Sequence, residues 1–251
     1  MRQLYWFFLL LPLVGYTQYS STIQSDRPGQ AIAPYTIGKR VLQFQTGYNY
    51  NYISTNEITT NRSAISQVIR YGLSERTEAS LLVNWQTDQV DAQGSTDQLT
   101  GFNRYQLGGR VLLLTNEGAR PALGLDGQAI FPVNAGDFEP ANWGSVFTLA
   151  TYNSLGEVFS LATNWQVAWS SFSAAPNWNG ILNLGFSLGE KWNGFVETYT
   201  SLNTVQPKFD AGAAVLVHPD VQLDFSVGWQ GNDTVTDWFG DVGCSWRFDG
   251  R

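Results

Sequence analysis

Between Val41 and Ile53 the chain alternates for about 13 residues between two kinds of side chain. Leu42, Phe44, Thr46, Tyr48, Tyr50 and Tyr52 fall on one side, and Gln43, Gln45, Gly47, Asn49 and Asn51 on the other. A period of two places successive side chains on opposite faces of an extended strand. A strand of this length exceeds the usual 5 or 6 residues of a globular domain and is long enough to cross a bilayer at a tilt.

The split recurs elsewhere. Ala79, Leu81, Val83 and Trp85 oppose Glu78, Ser80, Asn84 and Gln86, and Phe159 to Trp169 and Val221 to Trp229 divide in the same way. No Lys, Arg, Asp or Glu falls on the apolar side of these rows. A Lys or Arg facing lipid near the bilayer centre costs roughly 2 to 4 kcal/mol, so the charge-free row is expected to meet lipid and the polar row to enclose a lumen. A slip of one residue would carry Glu78 or Asp224 into lipid, which fixes the register. Alternation is weaker in the sixth, ninth and tenth strands, whose faces the pattern leaves open.

Turn signals place twelve strands at about 41–53, 63–73, 77–87, 102–114, 120–132, 144–154, 158–171, 180–188, 192–202, 209–217, 221–230 and 238–248. The even-numbered connections are short, as at Ser74-Glu75-Arg76 and His218-Pro219-Asp220, whereas most odd-numbered ones read as longer polar loops, including 54–62 and 88–101. Short turns on one rim and long loops on the other are the habit of outer-membrane barrels, with the turns in the periplasm. The expected fold is all-β, a closed antiparallel transmembrane β-barrel of about twelve strands in an up-and-down meander.

Composition agrees. Charged residues make up 14 % of the 251 residues, against roughly 25 % in an ordinary soluble domain. The net charge of −7, with Lys and Arg scattered, excludes nucleic acid and does not favour anionic partners. The single cysteine, Cys244, allows no disulfide framework. Residues 1–17 carry Arg2, an apolar run from Leu4 to Val14 and small residues up to Thr17, the layout of a cleaved export signal. That run is too short for a spanning helix, which needs about 20 residues. Residues 18–40 contain Pro28 and Pro34 and do not alternate, so they are expected to form an extended segment at the periplasmic mouth or in the lumen, ahead of a barrel over 41–248.

The segment Ser25-Asp26-Arg27-Pro28-Gly29-Gln30, the turn Tyr71-Gly72-Leu73-Ser74-Glu75-Arg76 and the ending from Gln222-Leu223-Asp224 to Ser245-Trp246-Arg247-Phe248 resemble the MetA-pathway phenol-degradation family of outer-membrane, transporter-like barrels common in Bacteroidota. The likeness spans about residues 23–248. Gly29 stands where that family more often has Asp, and Gln45 where it has Glu. The resemblance implies a Gram-negative outer-membrane location and uptake of small hydrophobic or aromatic compounds, without fixing a substrate. The alternating last strand, with Trp246 and Phe248, is similar to the signal read by the barrel-assembly machinery, although Asp249, Gly250 and Arg251 follow it.

Candidate lumen or constriction residues are Arg70, Glu78, Arg104, Arg110, Asp126, Glu197, Asp224 and Arg247. Four acids with four bases can select small solutes or brace a closed barrel by ion pairs. Asp26 and Arg27, beside Pro28, can join that network by folding inward or serve as a periplasmic strap. Tyr48, Tyr52, Trp85, Trp169, Trp192 and Trp246 are expected in interfacial girdles, with an aromatic ligand pocket as the sharper alternative. His218 is the only histidine and sits in a turn, so no enzymatic step and no cofactor are expected. The function expected is a channel or transporter-like barrel with outer-membrane lipid, the assembly machinery and a small solute as partners. The alternatives are a plugged structural or surface-binding barrel and, last, an outer-membrane hydrolase that would depend on His218.

Overall fold

A computed structural model describes residues 20–132, 136–138, 142–170, 175–231 and 235–250; the proposed export signal at 1–17 lies outside them. Twelve strands follow one another: β1 (Val41–Thr55), β2 (Ile58–Gly72), β3 (Thr77–Ala92), β4 (Ser95–Leu114), β5 (Ala122–Ile130), β6 (Gly144–Leu155), β7 (Phe159–Trp169), β8 (Asn177–Ser187), β9 (Trp192–Ser201), β10 (Lys208–His218), β11 (Val221–Gly231) and β12 (Val235–Asp249). Each pairs antiparallel with its sequence neighbours, and β1 closes on β12 from Val41↔Asp249 to Thr55↔Val235. Closure satisfies every edge, which is what allows a sheet to sit in hydrocarbon.

The faces follow the alternation. In β1, Gln43 and Gln45 are buried in the lumen. Leu107, Leu125, Leu182, Val196, Leu223 and Val227 are large exposed residues on the outside. Aromatic clusters flank this aliphatic band. Phe44, Trp246 and Phe248 pack together near the rim that carries the termini. Tyr50 and Tyr52 meet Trp238, and Phe147 meets Trp169, towards the far rim. An apolar belt between two aromatic girdles is the surface a bilayer requires.

The structure corrects two loop assignments. Residues 54–62 and 88–101 are mostly strand: β1 and β2 are joined across residues 56–57, and β3 and β4 across Gln93-Gly94. Gln93 (φ 47°) and Gly94 (φ 87°) are both left-handed, the geometry of a tight two-residue hairpin turn. Above the apolar belt both faces meet water, so the alternation fades while backbone pairing continues. The first two far-rim connections are therefore tight turns on long ribbons, and the long-and-short parity holds only for part of the barrel.

The strands with weak alternation place Thr148 and Ala150 of β6, Phe195 and Glu197 of β9, and Asp210 and Ala214 of β10 inside. Their inner rows contain small and apolar side chains because they face protein rather than open water.

Candidate functional site

That protein is the segment before β1. It enters from the rim carrying the termini, runs into the lumen and returns to the same rim at Thr36, whose hydroxyl donates to Glu75 O at 2.8 Å. An extended segment has no ladder of its own, so each backbone group buried there needs a partner from the wall.

At the entrance Arg247 binds the carbonyls of Ser20, Ser21 and Thr22 at 2.8 to 3.1 Å, while its Nε donates to Asp220 at 2.6 Å. Ser25 Oγ lies 2.8 Å from Ser245 Oγ on β12.

Deeper, two ion-pair groups take over. Arg110 Nη1 and Nη2 grip the two oxygens of Asp26 at 3.0 and 2.8 Å, a fork geometry that adds direction to charge. Arg70 Nη1 reaches the same carboxylate at 3.1 Å and holds Glu78 through Nε and Nη2 at 2.7 and 2.9 Å. Asp126 completes this cluster 3.5 Å from Arg110. Burial would raise the Asp26 carboxyl, but Arg110 and then Arg70 outweigh it and hold the group down at about 2.

The second group forms around Arg27, which pairs with Asp224 at 3.1 Å and with Asp241. The guanidinium lies against Gly47 and Gly243, which face one another across the β1–β12 ladder. A Cβ at either position would collide with it, so the wall carries glycine where the arginine passes.

Beyond Pro28 the character changes. The tip is held by uncharged contacts and one carboxylate: Glu197 accepts the backbone N–H groups of Gln30 and Ala31 at 2.7 and 2.9 Å. Asn164 accepts from Ile32 N at 2.7 Å and donates to Ile32 O at 3.0 Å. Around it stand Phe195, Ala162 and Ala214.

The predicted lumen residues thus fall into separate groups. Arg70, Glu78, Arg110 and Asp126 come together with Asp26; Asp224 joins Arg27; Glu197 is across the barrel; Arg247 is at the entrance. Arg104 faces a lumenal cavity that the Asp26 cluster also lines, and pairs with none of its members among the described residues. Sequence reasoning missed Asn164, whose amide reads as an ordinary polar-row residue, and Asp241. It also missed the Arg62–Asp88 pair at 2.9 Å, which lies in the region read as loop. His218 sits in its turn, exposed, with Nδ1 accepting from Asp220 N at 3.2 Å.

Cavities lie on both sides of the segment. On the far-rim side are one of about 320 Å³, floored by Gln30, and one of about 260 Å³ bounded by Asp26 and Ile32. On the terminal side are spaces of about 230 and 550 Å³ that share Ser25, Asp26 and Tyr152 among their linings. The tip from Pro28 to Ile32 stands between the two sets.

A closed twelve-stranded transmembrane barrel whose lumen is occupied by its own N-terminal segment is the class that fold and site define. The chain belongs to the family described as "Putative MetA-pathway of phenol degradation", whose model matches residues 25–248. Among solved structures it is similar to the COG4313 outer membrane channel from Pseudomonas putida F1, with 14% identity and a TM-score of 0.67 over 88% of this chain and 99% of that one. It is also similar to the beta domain of the Bordetella autotransporter BrkA (13% identity, TM-score 0.54, 83% and 99% covered) and the transport unit of the Escherichia coli autotransporter AIDA-I (8%, 0.51, 83% and 90%). At these identities the likeness is one of fold. No curated protein matches the chain.

Proposed function

We propose that this protein is a passive outer-membrane channel for small compounds, held closed by residues 20–40 and opened when the tip from Pro28 to Ile32 leaves its seat. The observation that carries the reading is the position of that tip between the cavities on either side, secured by the backbone hydrogen bonds to Glu197 and Asn164. The outward apolar belt supports residence in a membrane, and the family and the fold of its neighbours support the outer one. Export would use residues 1–17, and the outward Trp246 and Phe248 on β12 would serve assembly. Hydrophobic or aromatic compounds enter this reading through the family description, which speaks of phenol degradation.

Single-channel conductance in a planar bilayer tests it. The full chain should show mostly closed current, and a Glu197→Gln/Asn164→Ala double variant should open more often. A folded barrel that stays silent in both forms counts against transport.

One observation favours a second reading, a barrel plugged for good. Ion pairs brace the segment at Asp26 and Arg27, and Arg247 of β12 holds its entrance through the carbonyls of residues 20–22. Silence in the tip variant, combined with full retention of the fold, is the result this reading expects.

A further inference from the structure

Most basic side chains facing the lumen have an acid beside them. Arg27, Arg62, Arg70, Arg110, Lys208 and Arg247 each lie within 4 Å of a carboxylate. Arg104 makes no ion pair and no hydrogen bond among the described residues. It projects from β4 into the lumenal cavity of about 260 Å³ on the far-rim side of the plug.

Gln106 stands two positions along β4, on the same face, and lines the same space; it too makes no side-chain hydrogen bond among the described residues. From β1, Gln45 Nε2 is buried and lacks a partner among the described residues. A guanidinium and two amides thus offer donors to one cavity and meet no acceptor within hydrogen-bond reach among the described residues. Of these, Gln45 Nε2 is a buried donor, and such a group is seldom left unpaired because it loses the hydrogen bond it would make to water; Arg104 is exposed to the lumen and presents its donors to whatever enters the cavity.

The rest of the wall has another character. Val68, Leu82, Val146 and Ile32 contribute aliphatic surface. At the floor, Asp26, Glu78 and Asp126 outnumber Arg70 and Arg110, so negative charge is turned away from that end.

The geometry points to a binding site for a small monocarboxylate with an apolar body, its carboxylate on Arg104 and Gln106 and its body against the aliphatic wall. A guanidinium matches a carboxylate in shape as well as charge. The volume lies just below the usual 300 to 1,000 Å³ of small-molecule sites, which limits the ligand to about one ring or a short chain. The chain as a whole carries −7 and repels anions, so the attraction is local and should weaken in salt. This rests on the channel reading and names the solute class for it.

Titration calorimetry on the full chain in detergent, with benzoate and its neutral analogue benzamide, tests the site without requiring passage. Benzoate should bind at least tenfold more tightly than benzamide, and Arg104→Gln should remove that preference. Arg104→Lys should keep part of it. Gln45→Glu, which leaves Arg104 in place and adds a competing carboxylate, should weaken benzoate and serves if Arg104→Gln does not fold. Equal binding of the two compounds, benzoate binding that ignores Arg104, or no binding overturns the site. Arg104-dependent binding in a barrel that conducts nothing would count against the channel reading alone, and conduction without benzoate binding against this inference alone.

Discussion

The two arms of the lumenal segment are fastened by different physics. Asp26 and Arg27 sit in multi-residue charge clusters against β2, β4, β11 and β12. The tip from Pro28 to Ile32 faces β7 to β10 and is held by backbone hydrogen bonds among small and apolar side chains. Removing one member of a buried ion pair leaves its partner uncompensated, at roughly 3 to 5 kcal/mol, whereas an ordinary hydrogen bond contributes about 1 kcal/mol net. The clusters therefore act as an anchor and the tip as the part that can move.

The largest test of this contrast is Arg110→Met. It strands Asp126, leaves Asp26 with Arg70 alone, and should lower stability by roughly 3 kcal/mol, seen as a lower melting temperature and faster proteolysis within residues 20–40. Little loss would mean that the cluster does not anchor the segment.

Acid should weaken the same anchor by a little less. Asp26 titrates near 3.8 when free and at about 2 in the folded protein. Its depressed value contributes about 2 kcal/mol that is present above pH 3.8 and lost as pH falls through about 2. A spin label at Gln24→Cys, in a Cys244→Ala background, should become mobile between pH 4 and 2. Unchanged mobility there would argue against an anchoring role for Asp26.

At the tip the effect should be smaller in energy and clearer in current. Glu197→Gln with Asn164→Ala weakens the contacts to Gln30, Ala31 and Ile32; a loss of about 1 to 2 kcal/mol corresponds to an open fraction higher by roughly five- to thirtyfold. Arg110→Met, by comparison, should destabilise more than it gates. If the two variants gate alike, anchor and tip are not distinct.

The smallest expected change lies far from both. Gly94→Ala places a side chain at φ 87° in the β3–β4 turn. It should cost about 1 kcal/mol locally, visible in hydrogen exchange of the ribbon, with conductance unchanged.

Much of the barrel was legible because hydrocarbon imposes a rule on every second residue. Where it does so, as in β1, β3, β7 and β11, the faces follow from sequence. Above the membrane the rule lapses, which is why Ile58–Arg62 and Asp88–Gly101 read as loops although their backbones stay paired. The charged lumen residues were legible as a set but not as partners, since Arg70–Glu78 is a cross-strand diagonal while Arg27–Asp224 joins residues far apart in the chain. The hold on the tip was not legible, because Glu197 and Asn164 bind main-chain groups that any sequence would supply.

The most direct test of the lumenal position is a disulfide between Ser25→Cys and Ser245→Cys, whose hydroxyl oxygens lie 2.8 Å apart, in a Cys244→Ala background. Mild oxidation of the folded barrel should close the bond almost completely and leave neither thiol open to a maleimide. If both thiols stay free and label readily, residues 20–40 do not occupy the lumen, and the closed-channel account is wrong.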